Sequence, residues 1–173
     1  RPTPRPENII IGGMSAGSNM AVSTLLRARD EDLPMPAAAV VNTPPIDLTQ
    51  QGDTFHTNAF IDPAMTGAGL SSLTDICAPG QDLTHPYLSP LFGEFTNDFP
   101  PTFLSTGTPD FLLSDTVRLH RKLRRAGVDA QLHVWEGAPH YMFLGMAPED
   151  LERAHEQRRF MEDHWDAARA RRP

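Results

Sequence analysis

The chain has 173 residues, a formal net charge of −7 and a single cysteine, Cys77. This length suits one domain with one core, and 39% hydrophobic with 21% charged residues is typical of a globular chain. The negative charge argues against a nucleic-acid partner, because binding phosphate groups needs a basic surface. A lone cysteine excludes an internal disulfide and a cysteine cage for a metal. No apolar run in the sequence is long enough to span a membrane.

Apolar periodicity along the chain predicts an alternation of strands and helices. Short apolar runs predict two buried strands, at residues 8–11 and 37–41. A third short strand is predicted at 102–105, after two prolines, and alternating apolar residues predict a fourth at 130–135. Apolar residues at helical spacing predict three long helices, which cover residues 16–29, 112–126 and the segment from 148 onwards. This alternation is the pattern of a parallel α/β sheet with helices on its faces.

Residues 42–101 differ from the rest of the chain. They show little periodicity and many turn residues, and a structureless loop of that length is unusual in a compact domain. We therefore predict an irregular connection with short helices, one of them near residues 71–77, which covers the functional pocket. No repeat and no second domain boundary is visible, so residues 1–173 are predicted to form a single domain.

The predicted strand at 8–11 raises a question about completeness. Its isoleucines suit a central strand with neighbours on both edges, yet no strand pattern precedes it. We therefore expect the N-terminal half of the sheet to be absent from these residues and one edge of this strand to be open. A missing N-terminal segment or a partner chain is expected to fill the gap, and a homodimer is one such arrangement.

The first motif with chemical content is Gly13-Met14-Ser15-Ala16-Gly17, which matches Gly-x-Ser-x-Gly. The pattern is typical of a nucleophile elbow, a sharp turn between strand and helix that presents the serine. Small residues are needed where the two elements nearly touch. Here the pentapeptide follows an apolar strand and precedes an amphipathic helix, as an elbow requires. The alternative is an ordinary glycine-rich turn, or one that binds phosphate.

A serine becomes a good nucleophile only when a base takes its proton and an acid orients that base. With an elbow, the acid and then the histidine follow the serine, each in a loop after a strand. Asp110 follows the predicted strand 102–105, and His140 follows the predicted strand 130–135. Ligands bind outside the carboxyl ends of such strands. The sequence therefore predicts Ser15, Asp110 and His140 as a catalytic triad.

Other acids and histidines have simpler explanations. Asp115 is the rival acid, but its place at the beginning of a helix favours a role in complementing the helix dipole. Asp47, after two prolines, is interpreted as a turn residue. Four histidines are predicted to serve the fold or face solvent: His120, His133, His155 and His164. His56 and His85, in the long connection, are predicted to make loop hydrogen bonds, with a place in the pocket wall as the alternative. No group of His, Asp and Glu has metal-ligand spacing, and no dinucleotide-binding or P-loop motif is present.

Several blocks of sequence, taken together, carry a resemblance to one family. They are the elbow block 12–21, His-Pro-Tyr-Leu-Ser-Pro-Leu at 85–91, the acid block 100–110, the helix 112–128 and Glu-Gly-Ala-Pro-His at 136–140. In this combination the chain resembles the hormone-sensitive-lipase-like (bacterial family IV) esterases of the α/β-hydrolase fold. The resemblance implies a three-layer fold and hydrolysis of short to medium acyl esters through a serine acyl-enzyme. It implies no metal or organic cofactor.

The same resemblance also identifies departures from the family pattern. Met14 stands where the family often has aspartate, Ser18 where it often has glycine, and Tyr141 follows the histidine in place of glycine. Family members carry an upstream His-Gly-Gly-Gly loop that forms most of the oxyanion hole. Residues 1–173 of this chain offer only the backbone N–H of Ala16 as an oxyanion donor. Each missing donor raises the activation barrier by about 2.7–4 kcal/mol.

Two other functions stay open at the level of sequence. The first is a non-catalytic hydrolase-fold protein that binds a small molecule, although such proteins usually lose a triad member and this chain keeps all three. The second is an amidase, peptidase or acyltransferase on the same fold. Leaving-group preference depends on the pocket, so the sequence does not separate this second class from an esterase.

Overall fold

A computed structural model of the chain describes residues 5–63 and 67–170. Its strands are β1 (Ile10–Met14), β2 (Ala38–Asn42), β3 (Thr102–Gly107) and β4 (Ala130–Trp135). Its helices are α1 (Ala16–Asp30), α2 (Asp53–Thr57), α3 (Gly67–Cys77), α4 (Leu113–Arg125) and α5 (Pro148–Ala170). Short 3-10 turns at Pro6–Asn8 and Pro90–Phe92 complete the regular structure.

The four strands form one parallel sheet in the order β1-β2-β3-β4. All residues of β2 and β3 are buried. The apolar run of β2 predicts this, whereas β3 also buries the polar residues Thr102, Ser105 and Thr106. β1 lies at an edge of this sheet in the part of the chain that the structure describes, and none of its residues is fully buried. Parallel strands bring their carboxyl ends to the same edge, so the loops after β1, β3 and β4 meet there.

Helices cover both faces of the sheet. On one face, α1 and α4 pack leucines against alternate residues of the central strands, among them Val41 and Leu104. On the opposite face, Phe160 of α5 packs against Val40 and Phe103, the sequence neighbours of those residues. This alternation is what the pleat of a strand requires when both of its faces are covered. The predicted α/β class, with a parallel sheet flanked by helices, is confirmed.

The first strand begins two residues later than predicted and ends three residues later. The segment at 8–11 begins as a 3-10 turn, with Pro6 at its first position, and the strand itself runs on to Met14. Gly12 and Gly13, which have no side chain to reveal a strand period, pair with β2. The strand therefore ends directly at Ser15, so the serine begins the turn without an intervening loop.

The connection between β2 and β3 holds α2, α3 and a series of turns. α3 includes the short helix predicted near 71–77. The role of this connection in covering a pocket remains a prediction. Within the described residues, no helix is both long enough and apolar enough to cross a membrane.

Candidate active site

Ser15 occupies the turn between β1 and α1 in an unusual backbone conformation. Its φ of 52° and ψ of −125° lie outside the regions that residues with a side chain normally adopt. Its N–H donates to the carbonyl of Asn42 at 3.0 Å, and its carbonyl accepts from the N–H of Ser18 at 2.9 Å. Hydrogen bonds on both sides therefore hold the strained turn of an elbow.

Gly13 explains why the elbow needs a small residue before the serine. A Cβ at this position would lie 2.3 Å from the backbone carbon of Gly17, where strand and helix cross. No side chain fits at that distance. Gly17 is different, because a Cβ added there would meet no atom of the described structure within 4 Å. Packing of the strand against the helix therefore requires glycine at position 13 but not at position 17.

Beneath the elbow lies a polar cluster that the motif does not predict. The Ser18 hydroxyl is fully buried, accepts from the Asn42 N–H at 2.9 Å and lies 2.7 Å from the Gly13 carbonyl. The Asn42 side chain donates to the same Gly13 carbonyl at 3.0 Å and accepts from the Ser105 hydroxyl at 2.5 Å. Ser18, which stands where the family often has glycine, thus ties the elbow to β2.

Asp110 lies in the turn after β3, and its carboxylate is fully buried. One oxygen accepts from the Thr106 hydroxyl at 2.7 Å, and the other accepts from the Leu112 N–H at 2.9 Å. These bonds fix the orientation of the carboxylate and leave the second oxygen facing His140. The side chain is therefore oriented before any ligand binds.

His140 connects the acid to the serine. Its Nδ1 lies 3.1 Å from Asp110 Oδ1, and its Nε2 lies 2.8 Å from Ser15 Oγ. Both distances fall in the range of hydrogen bonds in assembled catalytic sites. The neutral tautomer with the proton on Nδ1 fits both partners, since Nδ1–H then donates to the carboxylate and Nε2 accepts from the hydroxyl. The structure thus brings together the three residues that the sequence singled out.

The loops that carry the acid and the base approach each other closely. A Cβ added to Gly107, at the end of β3, would lie 1.8 Å from the carbonyl oxygen of Ala138. The imidazole of His140 is completely buried and packs against the rings of Phe111 and Tyr141, with centroids 5.1 and 4.6 Å away. Tight backbone packing and aromatic neighbours thus leave the imidazole little room to turn.

Asp115 does not contact His140 in the described structure. It lies in the first turn of α4, as expected, but its carboxylate is buried rather than solvated. One oxygen accepts from the N–H groups of Ile46 and Asp47, both at 3.1 Å, and the other lies 3.5 Å from the Arg118 guanidinium. Asp115 therefore anchors the turn after β2, which is a structural role the sequence did not predict.

The burial of Asp115 predicts a pH dependence of folding. Loss of water, followed by repulsion from Asp47, raises the pKa of Asp115 from 3.8 to about 7. The folded state then holds a proton that the unfolded state releases above pH 3.8, so the contribution of Asp115 to stability is fully present below that pH and is lost as pH rises through 7. We expect the free energy of unfolding to fall over this window by a contribution on the order of 4 kcal/mol.

The measurement is urea unfolding from pH 4 to 8. Asp115→Asn should flatten the fall, because the amide keeps an acceptor oxygen but does not titrate. The exposed Asp163 offers a matched control, and Asp163→Asn should leave the slope of the wild type unchanged. An identical pH dependence in the wild type and in Asp115→Asn would contradict the expectation.

Two buried polar residues near the triad were missed by the sequence reasoning. Asn58 donates to the backbone of the acid loop, and Asp62 accepts from the backbone N–H of His140. Asp62, Asp110 and His140 each bring a polar atom within 4.8 Å of the others, a geometry that could hold a metal ion. In the structure Asp62 Oδ2 accepts from the backbone N–H of His140, and Asp110 Oδ1 pairs with His140 Nδ1. The only signal in the sequence is a pair of polar residues that flank Ala59-Phe60-Ile61.

The loop after His140 is rich in left-handed backbone. Met142, Leu144 and Gly145 all have positive φ, and the buried carboxylate of Asp150 accepts from the N–H groups of Phe143 and Gly145. The loop lines an apolar cavity of about 340 Å³. This is the region where the chain departs from the family's usual residues after the histidine.

The chain belongs to the α/β-hydrolase fold family, because the family profile with that description matches residues 3–144. An acetyl-hydrolase of Streptomyces hygroscopicus is 31% identical over 130 residues, which are 75% of this chain and 43% of the relative. This assignment agrees with the elbow, the loop positions and the parallel sheet described above.

Two solved structures make the family relationship more specific. An esterase from the bacterial hormone-sensitive lipase family matches with a TM-score of 0.80 at 31% identity, over 96% of this chain and 54% of that chain. The esterase EstE5, in a crystal soaked with p-nitrophenyl butyrate, matches with a TM-score of 0.87 at 34% identity. The match covers 94% of this chain and 55% of that chain. The resemblance to these esterases is confirmed, and the chain spans about half the length of the proteins it matches.

Proposed function

We propose that the full-length protein hydrolyses carboxylic esters through an acyl-enzyme formed on Ser15. The observation that carries the proposal is the continuous hydrogen-bonded line from the Ser15 hydroxyl through His140 to Asp110, at 2.8 and 3.1 Å. The esterase and acetyl-hydrolase names of its relatives support the same class of reaction. A hydrogen-bonded nucleophile, base and acid is the arrangement that acyl transfer requires.

In the proposed first step, Ser15 Oγ attacks the ester carbonyl while His140 Nε2 takes the hydroxyl proton. Asp110 stabilises the imidazolium that forms and keeps Nδ1–H directed at its carboxylate. The tetrahedral intermediate collapses, His140 returns the proton to the leaving alcohol, and the acyl group stays on Ser15. A water that gives its proton to His140 then attacks the acyl carbonyl. His140 returns that proton to Ser15 Oγ as the acyl–serine bond breaks and the acid leaves.

The developing oxyanion needs hydrogen-bond donors at the serine. Ala16 is the first residue of α1, so its N–H has no partner within the helix and can point at the substrate. The positive end of the helix dipole adds to the stabilisation of a negative oxygen. We propose the Ala16 N–H as one donor of the oxyanion hole.

The test is an ester series on the full-length protein, with p-nitrophenyl acetate, butyrate and decanoate. We expect turnover of the short and medium esters and a single covalent adduct on the Ser15 peptide after treatment with a fluorophosphonate. Faster hydrolysis of the matching anilides would indicate an amidase instead. A folded protein that binds butyrate esters without turning them over, and that is not labelled, would indicate a binding protein.

A further inference from the structure

One turn of the connection between β2 and β3 contacts both catalytic loops. We define it as the 58–62 turn, which follows α2. The side-chain NH2 of Asn58 donates to the carbonyls of Thr108 and Asp110, at 3.0 and 3.1 Å. A carboxylate oxygen of Asp62 accepts from the backbone N–H of His140 at 3.0 Å. The two ends of this turn thus contact the loop that carries Asp110, here called the acid loop, and the loop that carries His140, here called the base loop.

The burial pattern of the turn is the reverse of what the hydrophobic effect favours. Asn58 is 9% exposed and Asp62 4% exposed, whereas Phe60 between them is 98% exposed in the described structure. Burying a carboxylate and an amide is unfavourable unless both are hydrogen-bonded. The polar contacts to the loops, rather than apolar packing, therefore determine which way the turn faces.

The turn is also internally connected. The N–H of Asp62 donates to the carbonyl of Asn58 at 3.2 Å, so the two side chains are spaced by one helical turn. Asp110 and His140 are 30 residues apart and belong to separate loops. A short rigid unit that bonds to both loops fixes the distance between them.

We propose that Asn58 and Asp62 are positioning residues that hold the acid loop and the base loop in register for proton transfer. This inference rests on the proposed function for its activity readout. Asn58 bonds to backbone carbonyls of the loop that carries Asp110, and Asp62 bonds to the backbone N–H of His140. Asn58 controls the acid loop, and Asp62 controls the base loop.

The test uses Asp62→Ala, Asp62→Asn and Asn58→Ala in the full-length protein. Asp62→Ala removes the acceptor of the His140 N–H, and we expect kcat to fall about 10²-fold, the usual effect of a misplacement near 1 Å. KM should change far less, because the contact that is lost is one to the backbone of His140. Asp62→Asn keeps an acceptor oxygen and should retain most of the turnover. Asp53 is exposed on α2, and Asp53→Ala should behave as the wild type.

A second readout does not depend on activity. Amide hydrogen exchange should quicken at 138–142 in Asp62→Ala and at 108–112 in Asn58→Ala, without a matching change over β2. This pattern, together with the split between kcat and KM, would support the proposal. Unchanged kcat in folded Asp62→Ala, or equal losses in Asp62→Ala and Asp62→Asn, would overturn it.

The two proposals fail in distinguishable ways. If the wild type turns over no ester and is not labelled at Ser15, the proposed function fails, and hydrogen exchange alone then decides the role of the turn. Faster exchange confined to the two loops would still support positioning, whereas unchanged exchange would overturn it. If Asp62→Ala does not fold, Asn58→Ala and Asp62→Asn provide the same comparison.

Discussion

Replacing Ser15 with alanine is expected to lower ester turnover by about 10⁶-fold, the loss typical of removing a triad nucleophile. The reason is chemical rather than structural, because only the hydroxyl that bonds His140 Nε2 is removed. The backbone bonds of the elbow do not involve that side chain and should persist. Turnover of p-nitrophenyl butyrate and fluorophosphonate labelling of the full-length protein would measure the effect.

A matched control lies on the same helix. Ser23 is half-buried on α1, and its hydroxyl donates to Asn19 in the described structure, so Ser23→Ala makes the same chemical change away from His140. We expect this variant to retain the turnover of the wild type. Substantial turnover by Ser15→Ala would show that another residue is the nucleophile and would refute the triad assignment.

Replacing Gly107 with alanine is expected to damage both activity and stability. The new Cβ would lie 1.8 Å from the Ala138 carbonyl oxygen and 2.6 Å from its carbonyl carbon. Both atoms are backbone, so either the end of β3 or the loop before His140 must move. We expect a loss of about 1–3 kcal/mol in the free energy of unfolding and a fall in kcat of about 10²-fold or more.

Gly17 supplies the comparison for the stability measurement. A Cβ there meets nothing within 4 Å, and alanine is favoured over glycine inside a helix, so Gly17→Ala should not destabilise the fold. Urea unfolding of both variants, with kcat measured for Gly107→Ala, makes the comparison. Wild-type stability and turnover in Gly107→Ala would mean that the two loops are not in the close contact described.

The sequence was most informative where one residue pattern determines one local structure. The apolar run of β2 predicted a buried strand because both faces of a covered parallel strand must be apolar. The Gly-x-Ser-x-Gly motif pointed to Ser15 because few residues tolerate such a turn. The order of Asp110 and His140 after their strands then indicated the partners, since parallel strands end at one edge of the sheet.

Residues whose contacts are distant in sequence could not be predicted in this way. Asn58 bonds to a carbonyl 52 residues away, and Asp62 bonds to an N–H 78 residues away. Neither partner belongs to a periodic pattern, and the intervening turns follow no repeat. Asp115 was placed correctly on its helix, but its burial depends on the course of the turn after β2. The displacement of β1 has a simpler cause, because glycine carries no side chain that could indicate a strand.

The strained backbone of Ser15 has a consequence for how this protein can be improved in the laboratory or by natural selection. A conformation of this kind costs about 1–3 kcal/mol, and glycine would adopt it without that cost. A library screened for heat resistance alone would therefore enrich glycine at position 15 and yield robust but inert proteins. Selection for thermal tolerance and selection for chemistry favour different residues at the same position. Any lineage that keeps the serine must obtain its tolerance to heat from substitutions elsewhere in the fold.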